Sequence, residues 1–158
     1  MTAKPLKEAF SLIEVLVFIS IMSLFFVIAV SVTSTSVKYM SYNEHKILAT
    51  KHAEDLIEWL RGVKDENWNT FVQRAGTTLV PKSYCFNDKL SAFGTFPSAP
   101  CGVNDYSGIV GLQPPIFKRE AQLIVNGTGQ VRVEVSVKWK EGATEYQVPL
   151  NTVFSIWE

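Results

Sequence analysis

The N-terminal part of the chain is dominated by one apolar run over residues 10–32. From Val15 to Val32 it holds no charged residue, no glycine and no proline. A bilayer core is crossed by about 20 consecutive apolar residues in one helix, so the run predicts an unbroken membrane-spanning helix. Glu14 is the one carboxylate within it, and a charge in hydrocarbon costs about 2.5–3.5 kcal/mol on insertion scales. We therefore expect Glu14 either to lie at the membrane interface or to serve a function.

The pattern after Val32 predicts an amphipathic continuation of the same helix over 33–62. This stretch has no proline, and its apolar residues recur at helical spacing. They are Ile47, Leu48, Ala49, Ala53, Leu56, Ile57, Leu60 and Val63. We expect Gly62 to end the helix, with Arg61 at the negative end of the helix dipole. A globular part over 63–158 then follows.

The first half of this globular part predicts loops, because Asn, Gly, Pro, Ser and Asp interrupt short apolar pieces up to Pro115. Brief strands are predicted at 77–80 and 109–112. Trp68 and Phe71 are expected to pack beneath the end of the helix.

The C-terminal third predicts an antiparallel β-meander. Residues 131–140 alternate strictly between apolar and polar, which places Val131, Val133, Val135, Val137 and Trp139 on one buried face. A strand at 121–125 precedes it through an Asn-Gly turn, and a strand at 145–157 follows, with Pro149 marking a bulge or an edge. The apolar face would cover the amphipathic helix, so the fold class is α+β.

Charge and targeting signals restrict the function further. Fifteen basic and fifteen acidic residues cancel, and no run of Lys and Arg is longer than two, which argues against a nucleic-acid partner. Lys4 and Lys7 precede the apolar run and the next lysine is Lys38, so the N-terminus is expected in the cytoplasm. The run is too long for a secretory signal and lacks an Ala-x-Ala site, so the segment should remain in the mature protein.

The string Ala9-Phe10-Ser-Leu-Ile-Glu14-Val-Leu-Val resembles the processing signal of type IV pilins and type II secretion pseudopilins. The resemblance implies that a prepilin peptidase removes residues 1–9 and that Phe10 becomes an N-methylated N-terminus. Ala9 stands where the family usually has Gly. Ser31 stands where major pilins usually carry a helix-bending Pro, which favours a minor pilin or pseudopilin. Residues 53–68 are similar to the end of the long helix in pilus-modification proteins and minor pseudopilins.

The resemblance implies a type IV pilin fold, with a membrane and assembly half of the helix over 10–32 and an amphipathic half over 33–62. Glu14 would pair with the N-terminal amine of a neighbouring subunit, and further assembly contacts are expected from Leu12, Ile13, Leu16 and Val17. The implied partners are other pilin or pseudopilin subunits, the prepilin peptidase and methyltransferase, membrane lipid and an inner-membrane assembly platform. The protein would reside in the cytoplasmic membrane as a single-pass protein with its head outside the cytoplasm, and then in a pilus or pseudopilus.

The alternative is a single-pass anchored extracytoplasmic binding domain that is neither cleaved nor polymerised. In that case Glu14, close to the cytoplasmic edge of the membrane, would extend its carboxylate into the headgroup region. An intact N-terminus and a monomeric mature protein would favour this alternative.

Candidate chemistry is sparse. Cys85 and Cys101 can form a disulfide after export, and closing their loop would contribute about 3 kcal/mol; free thiols or metal ligation are the alternatives. His45 and His52 lie two helical turns apart, too far for one metal ion. The sequence contains no Gly-x-Ser-x-Gly, phosphate-loop or His-Glu-x-x-His motif. We therefore expect no enzyme activity, no cofactor and no metal site.

Overall fold

A computed structural model describes residues 11–103, 105–106, 116–127 and 129–157, and these form an α+β chain. Two helices come first, α1 (Leu12–Glu66) and α2 (Trp68–Gln73). Four strands follow: β1 (Lys82–Cys85), β2 (Phe117–Val125), β3 (Gln130–Glu141) and β4 (Thr144–Ser155). The chain divides into two compact units, the stem (Met1–Asn43) and the head (Glu44–Glu158). The predicted fold class, α+β with a long N-terminal helix and an antiparallel sheet, is confirmed.

The long helix does not end at Gly62 as predicted but continues to Glu66. The burial of Lys64 against the ring of Phe154 favours the continuation. The Nζ of Lys64 also pairs with the adjacent Asp65 at 3.0 Å. The end is set by Asn67, whose extended backbone (φ −157°, ψ 97°) leaves the helix. Its side-chain oxygen accepts a hydrogen bond from the Thr70 N–H at 2.9 Å, so Asn67 is the N-cap of α2.

Within the head, α1 packs one apolar stripe against the sheet. Of the predicted stripe, five residues are buried: Ala49, Ala53, Leu56, Ile57 and Leu60. Leu48 and Val63 are only partly buried, and Ile47 is 70% exposed, so its predicted place on the stripe is wrong. Phe71 of α2 is also fully buried and contacts Phe154, which confirms its expected place beneath the helix end.

The sheet is antiparallel with the strand order β1-β2-β3-β4, and β3 behaves as its alternation predicts. Every second side chain of β3, from Val131 to Trp139, is essentially inaccessible to solvent. Gly127 and Gly129 in the β2–β3 turn have φ values of 71° and 84°, the left-handed backbone that glycine readily adopts. Pro149 is predicted to mark a bulge or an edge, and it lies on the edge strand β4.

Strand β2 begins at Phe117 rather than at 121. The charged residues Lys118 and Arg119 interrupt the apolar pattern in this part of the strand. Both are nevertheless buried, and in the sheet register they lie opposite Lys138 and Val137 of β3. Apolar periodicity cannot reveal a strand whose charged side chains are satisfied inside the protein.

The strand predicted at 77–80 is wrong, because these residues form a turn that precedes β1. The Thr77 N–H donates to the Val80 carbonyl, and the Val80 N–H donates to the Thr77 hydroxyl, each at 3.1 Å. Gly76 bridges to Ile124, and a Cβ there would lie 2.2 Å from the Val80 carbonyl oxygen. The strand predicted at 109–112 lies outside the described residues.

The connection from β1 to β2 is held by a disulfide and by aromatic packing. Cys85 and Cys101 are joined, with their Cα atoms 4.7 Å apart, so the predicted disulfide is present. Between them, Phe86, Phe93 and Phe96 surround Trp59 of α1, with ring centroids 5.6–5.9 Å from the indole. The disulfide-bounded loop is therefore an integral part of the head's core.

Candidate functional site

The strongest candidate site is the apolar surface at the start of α1, in the stem. The predicted assembly residues lie together on its first turns and are uncovered; Leu12 is 78% and Val17 51% exposed. Ile13 and Leu16 are similarly exposed. This helix is long and apolar enough to span a membrane. The processing residues Ala9 and Phe10 lie outside the described residues.

Glu14 occupies the first turn of this helix and is exposed. Its N–H donates to the Ser11 carbonyl at 3.0 Å, and the Val15 N–H donates to the same oxygen at 3.2 Å. The positive end of the helix dipole is found here, which stabilises a nearby carboxylate by about 0.3–1 kcal/mol at an exposed site. The structure thus places one acidic group at the start of an otherwise apolar surface.

Several hydroxyl groups of the stem are satisfied within the helix itself. Ser20, Thr33 and Thr35 each donate to the carbonyl four residues earlier, at 2.8–3.0 Å. Ser23 donates to the carbonyl of Ser20 at 2.8 Å. Because these donors are already paired, the helix can carry them into an apolar environment without leaving an unsatisfied hydroxyl.

The head contains a buried cation that the sequence did not single out, Arg119 of β2. It is 2% exposed and donates from Nε and Nη2 to the Phe86 carbonyl at 3.2 and 3.0 Å. Its Nη1 donates to the His52 carbonyl of α1 at 3.2 Å. Burial lowers the pKa of Arg119 to about 10, which still leaves the guanidinium charged at neutral pH. Arg119 therefore joins helix, loop and sheet.

The two histidines of α1 have different surroundings rather than a shared ligand. The Nδ1 of His45 lies 2.8 Å from Glu141 Oε1, which also accepts from the Trp139 indole N–H at 3.1 Å. His52 contacts the ring of Phe117, and its Nε2 has no hydrogen-bond partner among the described residues. Burial, and then the charge of Arg119, lower the pKa of His52.

The two cysteine sulfurs lie next to the carboxylate of Asp105, a grouping that could resemble a metal site. A metal ion is bound by thiolates, and both sulfurs are engaged in the disulfide instead. The neighbouring contacts hold the loop to the sheet. The Cys101 N–H donates to Glu120 Oε1 at 3.0 Å, and Lys138 pairs with the other carboxylate oxygen at 2.8 Å.

Shallow grooves lie among the described residues of the head surface, and two of them are lined by polar and aromatic side chains. One is lined by Trp59, Val63, Arg74 and Phe93 near the end of α1, and the other by Glu120, Ser136 and Lys138 on the outer face of the sheet. The Ser136 hydroxyl has no hydrogen-bond partner among the described residues.

The chain has no significant match among known proteins. No protein-family model matches the chain, and no curated protein or solved structure is significantly similar to it. The assignment of function therefore rests on the residues and the geometry of the stem and the head.

Proposed function

We propose that this protein is a type IV pilin-like subunit, most similar to a minor pilin or pseudopilin, with the type IV pilin fold. The observation that carries the proposal is the uncovered apolar helix with one carboxylate in its first turn. An apolar surface of this extent is not stable in water, so it must be covered by lipid or by other apolar helices. In a pilin-type subunit the helix lies first in the cytoplasmic membrane, where lipid covers it. It then lies in the filament, where the helices of other subunits cover it.

Glu14 has a specific role in this proposal. Cleavage before Phe10 creates an ammonium group close to the helix start, and Glu14 of one subunit pairs with the amine of its neighbour. An ion pair offsets much of the free energy needed to take each charge out of water. It also sets the axial position of one helix relative to the next, while Leu12, Ile13, Leu16 and Val17 supply the apolar contacts.

The proposed topology places the N-terminus in the cytoplasm and the head on the other side of the membrane. Lys4 and Lys7 support this orientation through the positive-inside rule. The Cys85–Cys101 disulfide supports it as well, because disulfides persist in oxidising compartments outside the cytoplasm. The partners in this topology are the prepilin peptidase, an inner-membrane assembly platform and other subunits.

Mass spectrometry of the intact protein tests the processing step. Full-length protein is expressed in a host that has a prepilin peptidase and is extracted from its membranes with detergent. We expect the loss of residues 1–9 and a methyl group on Phe10. An intact Met1 under these conditions overturns the proposal in favour of an anchored binding domain.

A pair of substitutions tests the assembly step. Glu14→Val removes the carboxylate, whereas Ser20→Val makes a nearby exposed position of the same helix apolar and leaves Glu14 in place. We expect both variants to be processed but only Glu14→Val to be lost from sheared filaments or pseudopili, as judged by immunoblotting. Equal incorporation of the two variants contradicts the assembly role of Glu14.

A further inference from the structure

Among the described residues, no strand pairs with the outer edge of β4. The sheet ends at β4, which pairs with β3 on one side. The Asn126 N–H donates to the Gln130 carbonyl, so even-numbered residues of β3 bond to β2 and odd-numbered residues bond to β4. By the β3–β4 register, the main-chain groups of Asn151, Val153 and Ser155 point away from the sheet.

This edge lacks most of the features that usually protect a strand from further pairing. Residues 146–157 contain no charged side chain. Within this stretch Pro149 is a protective feature, because its ring removes an outward N–H at the middle of the edge. The C-terminal half of β4, from Leu150 onwards, therefore retains three outward-facing residues with both a donor and an acceptor.

Exposed apolar side chains accompany this open half-strand. Val153 lies on the outer face of the sheet and is 42% exposed. Ile156 and Trp157 follow directly after the strand and are 46% and 90% exposed. Large aromatic side chains of this kind are the residues that most often dominate the free energy of binding at an interface.

We propose that residues 150–157 bind an extended segment of a second protein, which adds to β4 as a fifth, antiparallel strand. The segment bonds to Asn151, Val153 and Ser155 through its main chain. Its apolar residues alternate on the α1 side of the sheet, beside Leu150 and Thr152, and its end packs on Trp157. The side chains of the segment that face α1 are apolar, which matches the absence of charged side chains in residues 146–157.

A second copy of this chain fits the edge less well. Antiparallel pairing of β4 with β4 of another copy requires a two-fold axis, which reverses the direction of every element in the second head. In the head, α1 runs from His45 beside Glu141 to Lys64 beside Phe154, in the same direction as β4. The helices of the two copies would then enter their heads from opposite sides. This step rests on the proposed function, in which all copies are anchored in one membrane.

The experiment uses the full-length protein in detergent micelles and a synthetic peptide that copies residues 130–138. This probe has valine at alternate positions and is a natural partner for β4. Hydrogen exchange is measured at single amides. We expect the amides of Asn151, Val153 and Ser155 to exchange rapidly in the free protein and about tenfold more slowly with saturating peptide. The inward amides of Leu150, Thr152 and Phe154 report whether the β3–β4 ladder stays intact.

Methylated probes provide the matched control. Methylation of the probe's amide nitrogens at the positions of Arg132, Glu134 and Ser136 blocks the bonds to β4 and should abolish the protection. Methylation at the positions of Val131, Val133 and Val135 affects amides that point away and should preserve it. Equal behaviour of the two methylated probes overturns the proposal.

A variant of the protein tests the same edge from the other side. Val153→Pro removes one outward N–H, as Pro149 does naturally, and should abolish protection by the probe, whereas Val153→Thr should retain it. Protection of the outward amides that appears without peptide as the protein concentration rises would instead assign the edge to a second copy. None of these measurements depends on cleavage before Phe10, so they remain separate from the test of the proposed function.

Discussion

At the scale of single residues, Arg119 shows how a charge can hold three parts of the head together. Its guanidinium donates to carbonyl groups of α1 and of the disulfide-bounded loop while its backbone belongs to β2. A planar group with five donors can satisfy carbonyls in several directions at once. The charge is satisfied by main-chain oxygens. Its contribution to the stability of the head therefore depends on tertiary contacts that are absent from the unfolded chain.

Arg119→Met should lower the free energy of unfolding by about 2–3 kcal/mol, because a side chain of similar length leaves the carbonyls of His52 and Phe86 without these donors. Arg132→Met is the matched control, since Arg132 is an exposed arginine of the same sheet paired with Glu134. An exposed pair contributes about 0–1 kcal/mol. Urea unfolding monitored by tryptophan fluorescence measures both variants, and similar midpoints for the two would contradict the role of Arg119.

The lowered pKa of His52 predicts that the stability of the head depends on pH. Its pKa in the folded head is lowered from 6.5, first by burial and then by Arg119, with Lys51 acting in the same direction and Asp55 against it. A lowered pKa means that the unfolded chain binds the proton more readily. The stabilisation is therefore present above pH 6.5 and is lost as the pH falls through the pKa of the folded state.

The measurement is the slope of unfolding free energy against pH between about 7 and 5, which should be shallower in His52→Gln than in the unsubstituted protein. His45→Gln removes the other imidazole and leaves His52 in place, so its slope serves as the comparison. A slope unchanged by His52→Gln would show that His52 does not control this transition.

At the scale of elements, the boundaries of α1 are decided by what the helix touches. Gly62 is a good sequence signal for a helix end, but the helix continues past it and buries Lys64 against the ring of Phe154. Glycine in a helix interior is less favourable than alanine by about 1 kcal/mol, so the packing of Lys64 on Phe154 has only a modest penalty to outweigh.

Gly62→Ala should therefore stabilise the protein by about 0.5–1 kcal/mol, because the position is helical and an added Cβ meets no atom within 4 Å. A glycine that ended the helix with a positive φ would give the opposite sign. Gly76→Ala is the contrasting variant and should destabilise, since its Cβ would lie 2.2 Å from the Val80 carbonyl oxygen. Thermal unfolding distinguishes the two directions.

At the scale of the whole molecule, the stem and the head have different reasons to be ordered. The buried residues of the described chain all lie at Ala49 or beyond, within the head. The described side chains of the stem are exposed almost throughout, apart from partial burial near Asn43. The stem can therefore have a function that requires an apolar surface, while the head keeps its own core.

This division predicts that a chain of residues 44–158 folds without the stem. It retains α1 from Glu44, the disulfide and the complete sheet. We expect a soluble protein with the near-ultraviolet circular dichroism of the head and a cooperative thermal transition. A fragment with Val135→Asp, which places a charge in the core, is the control and should remain unfolded. Failure of the unsubstituted oxidised fragment to fold would contradict the division.

The sequence by itself determined the elements whose periodicity is strong. The apolar run, the stripe from Ala49 to Leu60 and the alternation of β3 each satisfy one geometric repeat over many residues, so local pattern and final burial agree. The same holds for the Asn-Gly turn before β3, where the backbone requires positive φ. The uncovered surface around Glu14 could be predicted as well, because charge and apolarity are properties of the residues themselves.

Only the tertiary structure decided where charged residues become internal. Lys118, Arg119 and Lys64 are polar in sequence, and their burial depends on carbonyl groups and aromatic rings contributed by distant segments. For the same reason the sequence pattern does not show the start of β2 or the end of α1. It also predicts a strand at 77–80, where the Thr77 and Val80 hydrogen bonds form a turn. The open edge of β4 also belongs to this group, because strand order and register are set by long-range pairing. The local pattern specifies which apolar residues favour burial. Only the packed chain specifies which polar groups have hydrogen-bond or ion-pair partners in the interior.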